Sequence, residues 1–257
     1  LARSYIYLTH ELSGLGFVVE PKILQLLSRL VLRFLARSIS DPQLREKLTP
    51  HYTMGCKRIL ISNDYYPALR RKNVELVTTA IDRITETGIR SQDGQQHDFD
   101  AIILATGFDA ADIVCPFPIQ GRGGIELSAA WQEGAEAYLG TTVSGFPNAF
   151  LIVGPNTGLG HNSMIYMIES QIAYILSALK QMQTQGIASV EVRSDVQARF
   201  NQEIHKRLAK TVWSTGCASW YRAKNGKNTT LWPGFTLEYR FRTRRFSPND
   251  YIVKKSQ

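Results

Sequence analysis

The segment that most constrains the fold of this chain is the apolar run at residues 101–105, AIILA, which ends in Thr106 and Gly107. A short run without polar residues is typical of a strand that is buried on both faces of a sheet. Glycine at its end lets the backbone turn sharply or pass close to a ligand. The run therefore predicts either a strand that ends beside a cofactor or an ordinary buried strand with a glycine exit.

The first 70 residues combine strand-like and helix-like patterns. Residues 2–10 alternate and are rich in tyrosine, which predicts a strand, and residues 58–62 predict a second, shorter one. Asp41 is a preferred N-cap residue and Pro42 a preferred first residue of a helix. Asp64 can cap another short helix. We therefore expect short strands and helices in turn.

Residues 21–39 carry apolar side chains at helical spacing, with Arg29, Arg33 and Arg37 on the opposite side. A basic amphipathic helix of this kind can lie on a membrane, but more often it packs its apolar face against a core. No apolar run approaches the ~18 residues that a membrane span needs. A core-packing helix is the favoured interpretation, and membrane contact is the alternative.

The remaining elements predict an α/β fold. Residues 74–100 alternate and are broken at Thr87-Gly88 and Asp93-Gly94, which predicts a small antiparallel meander that leads into the run at 101–105. A buried strand at 148–154, a long helix at 162–182, a strand at 189–193 and a helix at 194–213 follow. Ser194 is the expected cap of that last helix. Strands that alternate with helices are typical of α/β architecture.

Charge and cysteine content restrict the partners. The chain has 30 basic and 22 acidic residues, a net charge of +8, which suits a phosphorylated cofactor, a nucleic acid or an anionic membrane. No motif for nucleic-acid recognition is present, and a basic C-terminal tail in solvent is the simpler interpretation.

Cys56, Cys115 and Cys217 show neither paired nor metal-ligand spacing, so we expect no metal. A reducing compartment, the cytoplasm, is favoured over a secreted disulfide fold.

Four segments carry a family resemblance when they are taken in order. Residues 50–69, 98–110, 138–171 and 217–221 together closely resemble the C-terminal half of the flavin-dependent Baeyer-Villiger monooxygenases and, more loosely, the wider flavin-containing monooxygenases. The resemblance implies an incomplete flavoprotein with two dinucleotide-binding domains. It assigns residues 1–106 to the NADPH-binding domain, with a helical insertion, and 107–257 to the FAD-binding domain. The glycine-rich G-x-G-x-x-G loops of the family are absent from this sequence, so we expect a truncated piece.

The resemblance also implies an activity. Family members use FAD, NADPH and O2 to insert one oxygen atom into a ketone through a flavin C4a-peroxide, which gives an ester or a lactone. A small ketone and O2 are therefore the expected partners. Two alternatives stay open: oxygenation of nitrogen or sulfur, and a catalytically inactive remnant.

Lys57 and Arg58 are the sharpest candidate site residues. The resemblance implies that Lys57 helps to hold the 2′-phosphate of NADPH and that Arg58 stands over the flavin. A fixed guanidinium suits the stabilisation of an anionic oxygen intermediate, because it does not lose its proton. Two surface cations are the alternative. The resemblance further implies that Arg3 and Ser4 contact the same phosphate, although a solvent-exposed arginine is equally consistent with the sequence.

The start of the predicted long helix is the other candidate site. The resemblance implies that Asn162, Ser163 and Met164 face the flavin, where a helix N-terminus would stabilise the negative charge of the reduced ring. An ordinary capped helix is compatible with this. Trp220 is a candidate gate near the nicotinamide, or a packing residue. Asp109 can contact the backbone on the flavin side.

Overall fold

The computed structural model describes residues 2–107, 117–217, 219–223 and 225–256, which form two compact units. The first unit comprises residues 1–26, 52–59 and 109–257, and the second comprises 27–51 and 60–108. This division differs from a single boundary near residue 107. The assignment of 1–106 to NADPH and 107–257 to FAD stays a prediction.

The first unit begins with helix α1 (Ala2–Gly14), a π-helical turn (Leu15–Val19) and the start of α2 (Lys22–Ser38). The predicted strand at 2–10 is therefore wrong. The physical reason is visible in three residues spaced by four on α1: Arg3 bonds to Glu169, Tyr7 bonds to Thr236, and Glu11 bonds to Asn162 and Thr236. A helix spreads these three residues over about 12 Å along its axis, so that all of them reach the same neighbouring elements, whereas a strand would spread them over about 26 Å.

Helix α6 (Met164–Gln185) is the main element of this unit, after a single turn of helix, α5 (Leu127–Ala130). Ser163 caps α6 by accepting a hydrogen bond from the amide of Tyr166, and Gly186 ends it with a left-handed φ of 61°. Its buried face carries Met167, Tyr174 and Ala178. The predicted helix at 162–182 is confirmed.

Strand β4 (Ile187–Val192), helix α7 (Ser194–Leu208), helix α8 (Thr236–Arg242) and strand β5 (Tyr251–Lys255) complete the first unit. β4 and β5 pair antiparallel, with Val190 opposite Val253. The strand predicted at 189–193 forms, and the helix predicted at 194–213 forms but ends at Leu208. The predicted cap is wrong, because Arg193 occupies the N-cap position of α7 and Ser194 is its first residue.

The predicted buried strand at 148–154 does not form. Asn148 and Val153 have positive φ angles of 58°, which interrupt an extended backbone. Ile152 is 50% exposed. Asn148 bonds to Val190 of β4. Among the described residues β4 forms a strand ladder only with β5, so this run has no ladder to complete its hydrogen bonds.

The second unit contains the rest of α2, helices α3 (Pro42–Leu48) and α4 (Tyr65–Leu69), and strands β1 (Ile81–Ile84), β2 (Gly88–Ser91) and β3 (Gln96–Asp98). The strands form the predicted antiparallel meander in the order β1-β2-β3. Asp41 caps α3 as predicted, accepting from the amide of Gln43. Asp64 makes no capping bond to α4, and the hydroxyl of Ser62 accepts from the amide of Tyr65 instead.

Three apolar segments are more exposed than the sequence predicts. The runs at 58–62 and 101–105 form no strand, and Ile103 is 91% exposed. On α2 only Leu24 and Leu35 are buried in the expected way, whereas Leu26, Leu30 and Phe34 are exposed. The prediction that the whole apolar face of α2 packs against a core is therefore wrong. Within the described part of the chain, no helix is both long and apolar enough to cross a membrane.

Candidate cofactor and catalytic site

A short strip of the first unit, residues 52–59, carries the predicted cations. Gly55 has a φ of +89°, and a Cβ there would lie 2.7 Å from Cδ1 of Leu24 and 3.1 Å from Cε1 of Phe17. Glycine thus lets the strip pack closely against these two side chains. Lys57 is exposed, with its Nζ 4.7 Å above the ring of Tyr52.

The strip is tied to another segment by a disulfide. Cys56 is fully buried and bonded to Cys217, with Cα atoms 6.3 Å apart and a sequence separation of 161. The cysteine spacing predicted no pair, and the structure corrects this prediction. The pairing is set by the fold of the unit, so local spacing carried no signal for it.

Arg58 lies against the second segment as well. Burial raises the pKa of the Tyr221 hydroxyl, and the positive charge of Arg58 beside it acts in the opposite direction. Tyr221 is buried and packs against Trp220 at 4.3 Å between ring centroids, whereas Trp220 is 46% exposed. Arg58 is itself exposed and forms no ion pair with any described residue. It is thus an exposed cation without a countercharge among the described residues.

Behind the strip lies a layer of three rings, Phe17, His161 and Trp213, which we call the aromatic layer. Phe17 stacks on His161 at 5.6 Å and lies 6.1 Å from Trp213, and His161 lies 6.2 Å from Trp213. His161 is only 6% exposed, and both of its ring nitrogens lack a partner among the described residues. Burial lowers the pKa of His161 to about 4, so its ring is neutral at pH 7.

The N-terminus of α6 follows directly after His161. Asn162 donates to Glu11 on α1 and accepts from the amide of Ser163, and Met164 begins the helix. A cavity of about 490 Å³ lies beside this helix end, lined by Arg3, Ile6, Tyr7, His10, Asn162, Ser163 and Tyr166. The helix end contributes partial positive charge to the cavity.

The other predicted site residues lie as follows. Arg3 lines the cavity but makes two hydrogen bonds to Glu169, at 2.9 and 2.8 Å, and Ser4 is exposed on α1. Thr106 and Gly107 belong to the second unit; Gly107 has a φ of +87°, and a Cβ on it would meet nothing within 4 Å. The backbone turn predicted there is present, while proximity to a cofactor stays a prediction. Asp109 lies outside the described residues.

The structure therefore brings several of the predicted residues into the first unit. Contacts run from the 52–59 strip to Phe17, from Phe17 to His161, and from His161 along the chain to Asn162. Trp213 contacts His161, and the disulfide joins the strip, at Cys56, to Cys217, four residues after Trp213. Sequence reasoning assigned no role to His161 and gave Tyr221 none beyond packing within the segment 217–221. No group of three or more His, Cys, Asp or Glu side chains suited to a metal ion occurs in the part of the chain that the structure describes.

Comparison with known proteins gives a consistent result. No protein-family profile matches the chain. A Baeyer-Villiger monooxygenase of Pseudomonas aeruginosa is 48% identical over 98% of this chain and 48% of its own length. A crystal structure of OTEMO in complex with FAD and NADP superposes with a TM-score of 0.82 at 27% identity, over 93% of this chain and 46% of that one. A steroid monooxygenase bound to NADP also gives 0.82, at 28% identity, with the same two shares covered.

These similarities confirm the predicted fold class. The chain is α/β and corresponds to part of a flavoprotein fold with two dinucleotide-binding domains. It spans about half the length of the relatives that it matches. By sequence and by fold, the chain is similar to Baeyer-Villiger monooxygenases and matches about half of such a protein.

Proposed function

We propose that this chain is the part of an FAD- and NADPH-dependent monooxygenase that inserts one atom of O2 into a small ketone to give an ester or a lactone. The observation that carries the proposal is Arg58, an exposed guanidinium without an ion-pair partner among the described residues, beside Tyr221. A related protein named as a Baeyer-Villiger monooxygenase matches 98% of the chain. The proposed location is the cytoplasm.

The described residues fit a flavin near the N-terminus of α6. The helix end offers amides and partial positive charge at Asn162, Ser163 and Met164. The cavity of about 490 Å³ opens beside the first two of these residues. His161 next to them keeps two buried nitrogens without a partner in the described chain. When bound, the flavin supplies the oxygen chemistry and NADPH supplies the electrons.

The chain's own residues would act by position and charge. Arg58 would stabilise negative charge that develops on oxygen and would keep its own proton while doing so. Lys57 would hold the 2′-phosphate of NADPH, with Arg3 and Ser4 as further candidates. Arg3 would have to exchange its bonds to Glu169 for the phosphate. Trp220 is exposed enough to act as a gate beside the ring of Tyr221.

The test is Arg58→Ala in the complete protein that contains this chain, with Arg58→Lys as the conservative variant and Arg244→Ala as the control. Removal of a preorganised charge stabiliser lowers turnover by about 100- to 1,000-fold. We therefore expect NADPH to reduce the flavin at the normal rate and ester formation to be lost. Full ester yield in Arg58→Ala would overturn the role of Arg58.

Two further measurements address the alternatives. Product analysis with a cyclic ketone and with a thioether separates carbon insertion from sulfur oxygenation, because only the first yields a lactone. Flavin absorbance after mixing the chain with FAD and desalting tests binding by the chain alone. We expect weak or no retention, since the glycine-rich pyrophosphate loops are absent from this sequence. A complete protein that holds FAD but yields no oxygenated product would favour the inactive remnant.

A further inference from the structure

We propose that Cys56 and Cys217 form a reversible thiol–disulfide site, oxidised by a peroxide, which controls how firmly the 52–59 strip is held to residues 217–221. The effect on catalysis rests on the proposed function, because Arg58 and Trp220 lie in these two segments. The disulfide itself does not rest on it.

The positions of the two cysteines carry the proposal. Cys56 directly precedes Lys57 and Arg58, and Cys217 lies three residues before Trp220. The same two segments meet a second time where Arg58 faces Tyr221. One link is covalent and responds to redox conditions, and the other is a contact that remains in either state. Reduction would therefore loosen the junction without separating its parts.

Exposure decides the order of the chemical steps. Cys217 is partly exposed, whereas Cys56 is fully buried. The Cys217 thiolate is thus the group that attacks the O–O bond of hydrogen peroxide, which forms a sulfenic acid and releases hydroxide that takes up a proton as water. The Cys56 sulfur then attacks the Cys217 sulfur, the S–S bond forms, and the sulfenic oxygen leaves as a second water. Two thiols and one peroxide give one disulfide and two waters.

Return to the thiols uses a dithiol reductant through thiol–disulfide exchange. In reducing compartments, protein disulfides are usually transient and serve catalysis or redox sensing. Hydrogen peroxide is the product when O2 takes up two electrons and no oxygen reaches a substrate. A monooxygenase that works without its substrate would therefore supply the oxidant of this site itself.

Packing limits what reduction can change. Gly55 stays packed against Leu24 and Phe17 in either state, because these contacts do not involve the sulfur atoms. The segment on the other side has less support, since Trp220 is exposed and the hydroxyl of Tyr221 has no hydrogen-bond partner among the described residues. We therefore expect residues 219–223 to become more mobile on reduction, rather than the strip.

The first experiment detects the bond in a Cys115→Ser chain, which keeps only the proposed pair. Hydrogen peroxide followed by alkylation and peptide mapping should join the peptides of Cys56 and Cys217, with loss of two thiols per chain that dithiothreitol restores. In Cys56→Ser, dimedone should label Cys217; in Cys217→Ser, Cys56 should stay unlabelled. Two free thiols after peroxide, or bonds between chains only, would overturn the site. Mapping the unsubstituted chain gives the same readout if a variant fails to fold.

The second experiment measures the coupling in the same Cys115→Ser chain. Tryptic cleavage after Arg222 should be at least about tenfold slower in the oxidised than in the reduced chain, because proteolysis follows local opening. Cleavage after Arg90 in the meander is the internal control and should not change. Equal rates after Arg222 would refute the coupling. Neither readout needs FAD or product formation. The redox site can therefore be refuted while the proposed function holds, and the proposed function can be refuted while the redox site holds.

Discussion

Two buried regions of the first unit differ in how their polar atoms are satisfied. In the first, the hydroxyl of Tyr251 bonds to those of Tyr174 and Thr142, at 2.8 and 2.9 Å. We call this the tyrosine region. In the second, the aromatic layer, the two ring nitrogens of His161 and the indole nitrogen of Trp213 have no partner in the described chain.

This difference in hydrogen bonding suggests that the tyrosine region stabilises the fold and that the aromatic layer belongs to a binding site. Buried polar atoms in folded proteins nearly always have a hydrogen-bond partner, so each exception calls for an explanation such as a ligand. The aromatic layer adjoins Asn162 and the 52–59 strip, where the cofactor site is proposed. We therefore expect the tyrosine region to carry stability and the aromatic layer to tolerate changes that remove its polar atoms.

The largest effect is expected from Phe200→Ala. Phe200 is buried and meets Tyr138 edge-to-face at 5.4 Å, and Tyr138 in turn lies 6.2 Å from Tyr251. The truncation loses apolar burial and leaves a cavity, so the free energy of unfolding should fall by about 3–5 kcal/mol. Urea unfolding of the 257-residue chain, followed by circular dichroism, measures this.

The matched control is Phe241→Ala on α8, where the side chain is exposed. It should change the free energy of unfolding by less than about 0.5 kcal/mol. If both variants lost similar amounts of unfolding free energy, the tyrosine region would not be the stable part of the unit, which would contradict the comparison of the two regions.

The sequence predicted some strands of the first and second units correctly and others wrongly, for a physical reason. The strand predicted at 189–193 forms as β4 at 187–192, because its partner β5 lies in the same chain. The runs at 101–105 and 148–154 carry equally strong apolar patterns but form no strand in the structure. An apolar pattern states only that a segment can be buried; a strand also needs a neighbour to complete its hydrogen bonds.

The candidate site shows the same limit. The family resemblance singled out Arg58 and the start of α6, since each lies in a recognisable local motif. The disulfide and the contact between Arg58 and Tyr221 each join segments about 160 residues apart in sequence. No local pattern encodes such a pair, so only the fold could show it.

The second effect concerns His161 and pH. Its pKa in the folded chain, lowered to about 4 by burial, lies below the ordinary value of 6.5. Between these values the unfolded chain binds a proton that the folded chain excludes, so stability falls as the pH falls from 6.5 to 4. The loss from this one group is about 3 kcal/mol.

His161→Phe should remove this component and keep the ring stacked on Phe17. At pH 7 the variant should be as stable as the parent chain or more so, because two unsatisfied nitrogens are gone. The difference in unfolding free energy between the two chains, measured in urea from pH 7 to 4, should therefore grow in favour of the variant. His51→Phe, at an exposed position, is the control. A difference that stays constant with pH would show that the pKa of His161 is the same in the folded and the unfolded chain, and would contradict the prediction.

The smallest effect is expected from Tyr251→Phe, and it tests the comparison most directly. Burial raises the pKa of Tyr251 to about 12, so its hydroxyl is protonated at any ordinary pH and serves as a neutral donor and acceptor. Removal of this hydroxyl leaves those of Tyr174 and Thr142 each without a bond to it. Such a loss costs about 1–3 kcal/mol. Tyr5→Phe, at an exposed position on α1, should cost nothing measurable in the same urea experiment.

A double variant separates lost hydrogen bonding from disturbed packing. If the cost of Tyr251→Phe arises because the hydroxyl of Tyr174 is left buried and unpaired, Tyr174→Phe in the same chain should recover part of it, since no unpaired tyrosine hydroxyl then remains there. If the cost arises from packing, the two losses should add. His161→Phe removes polar atoms that have no partner in the described chain, whereas Tyr251→Phe removes one that has two. Opposite signs for these two substitutions at pH 7 would therefore establish that the regions differ in polar satisfaction, and equal signs would contradict it.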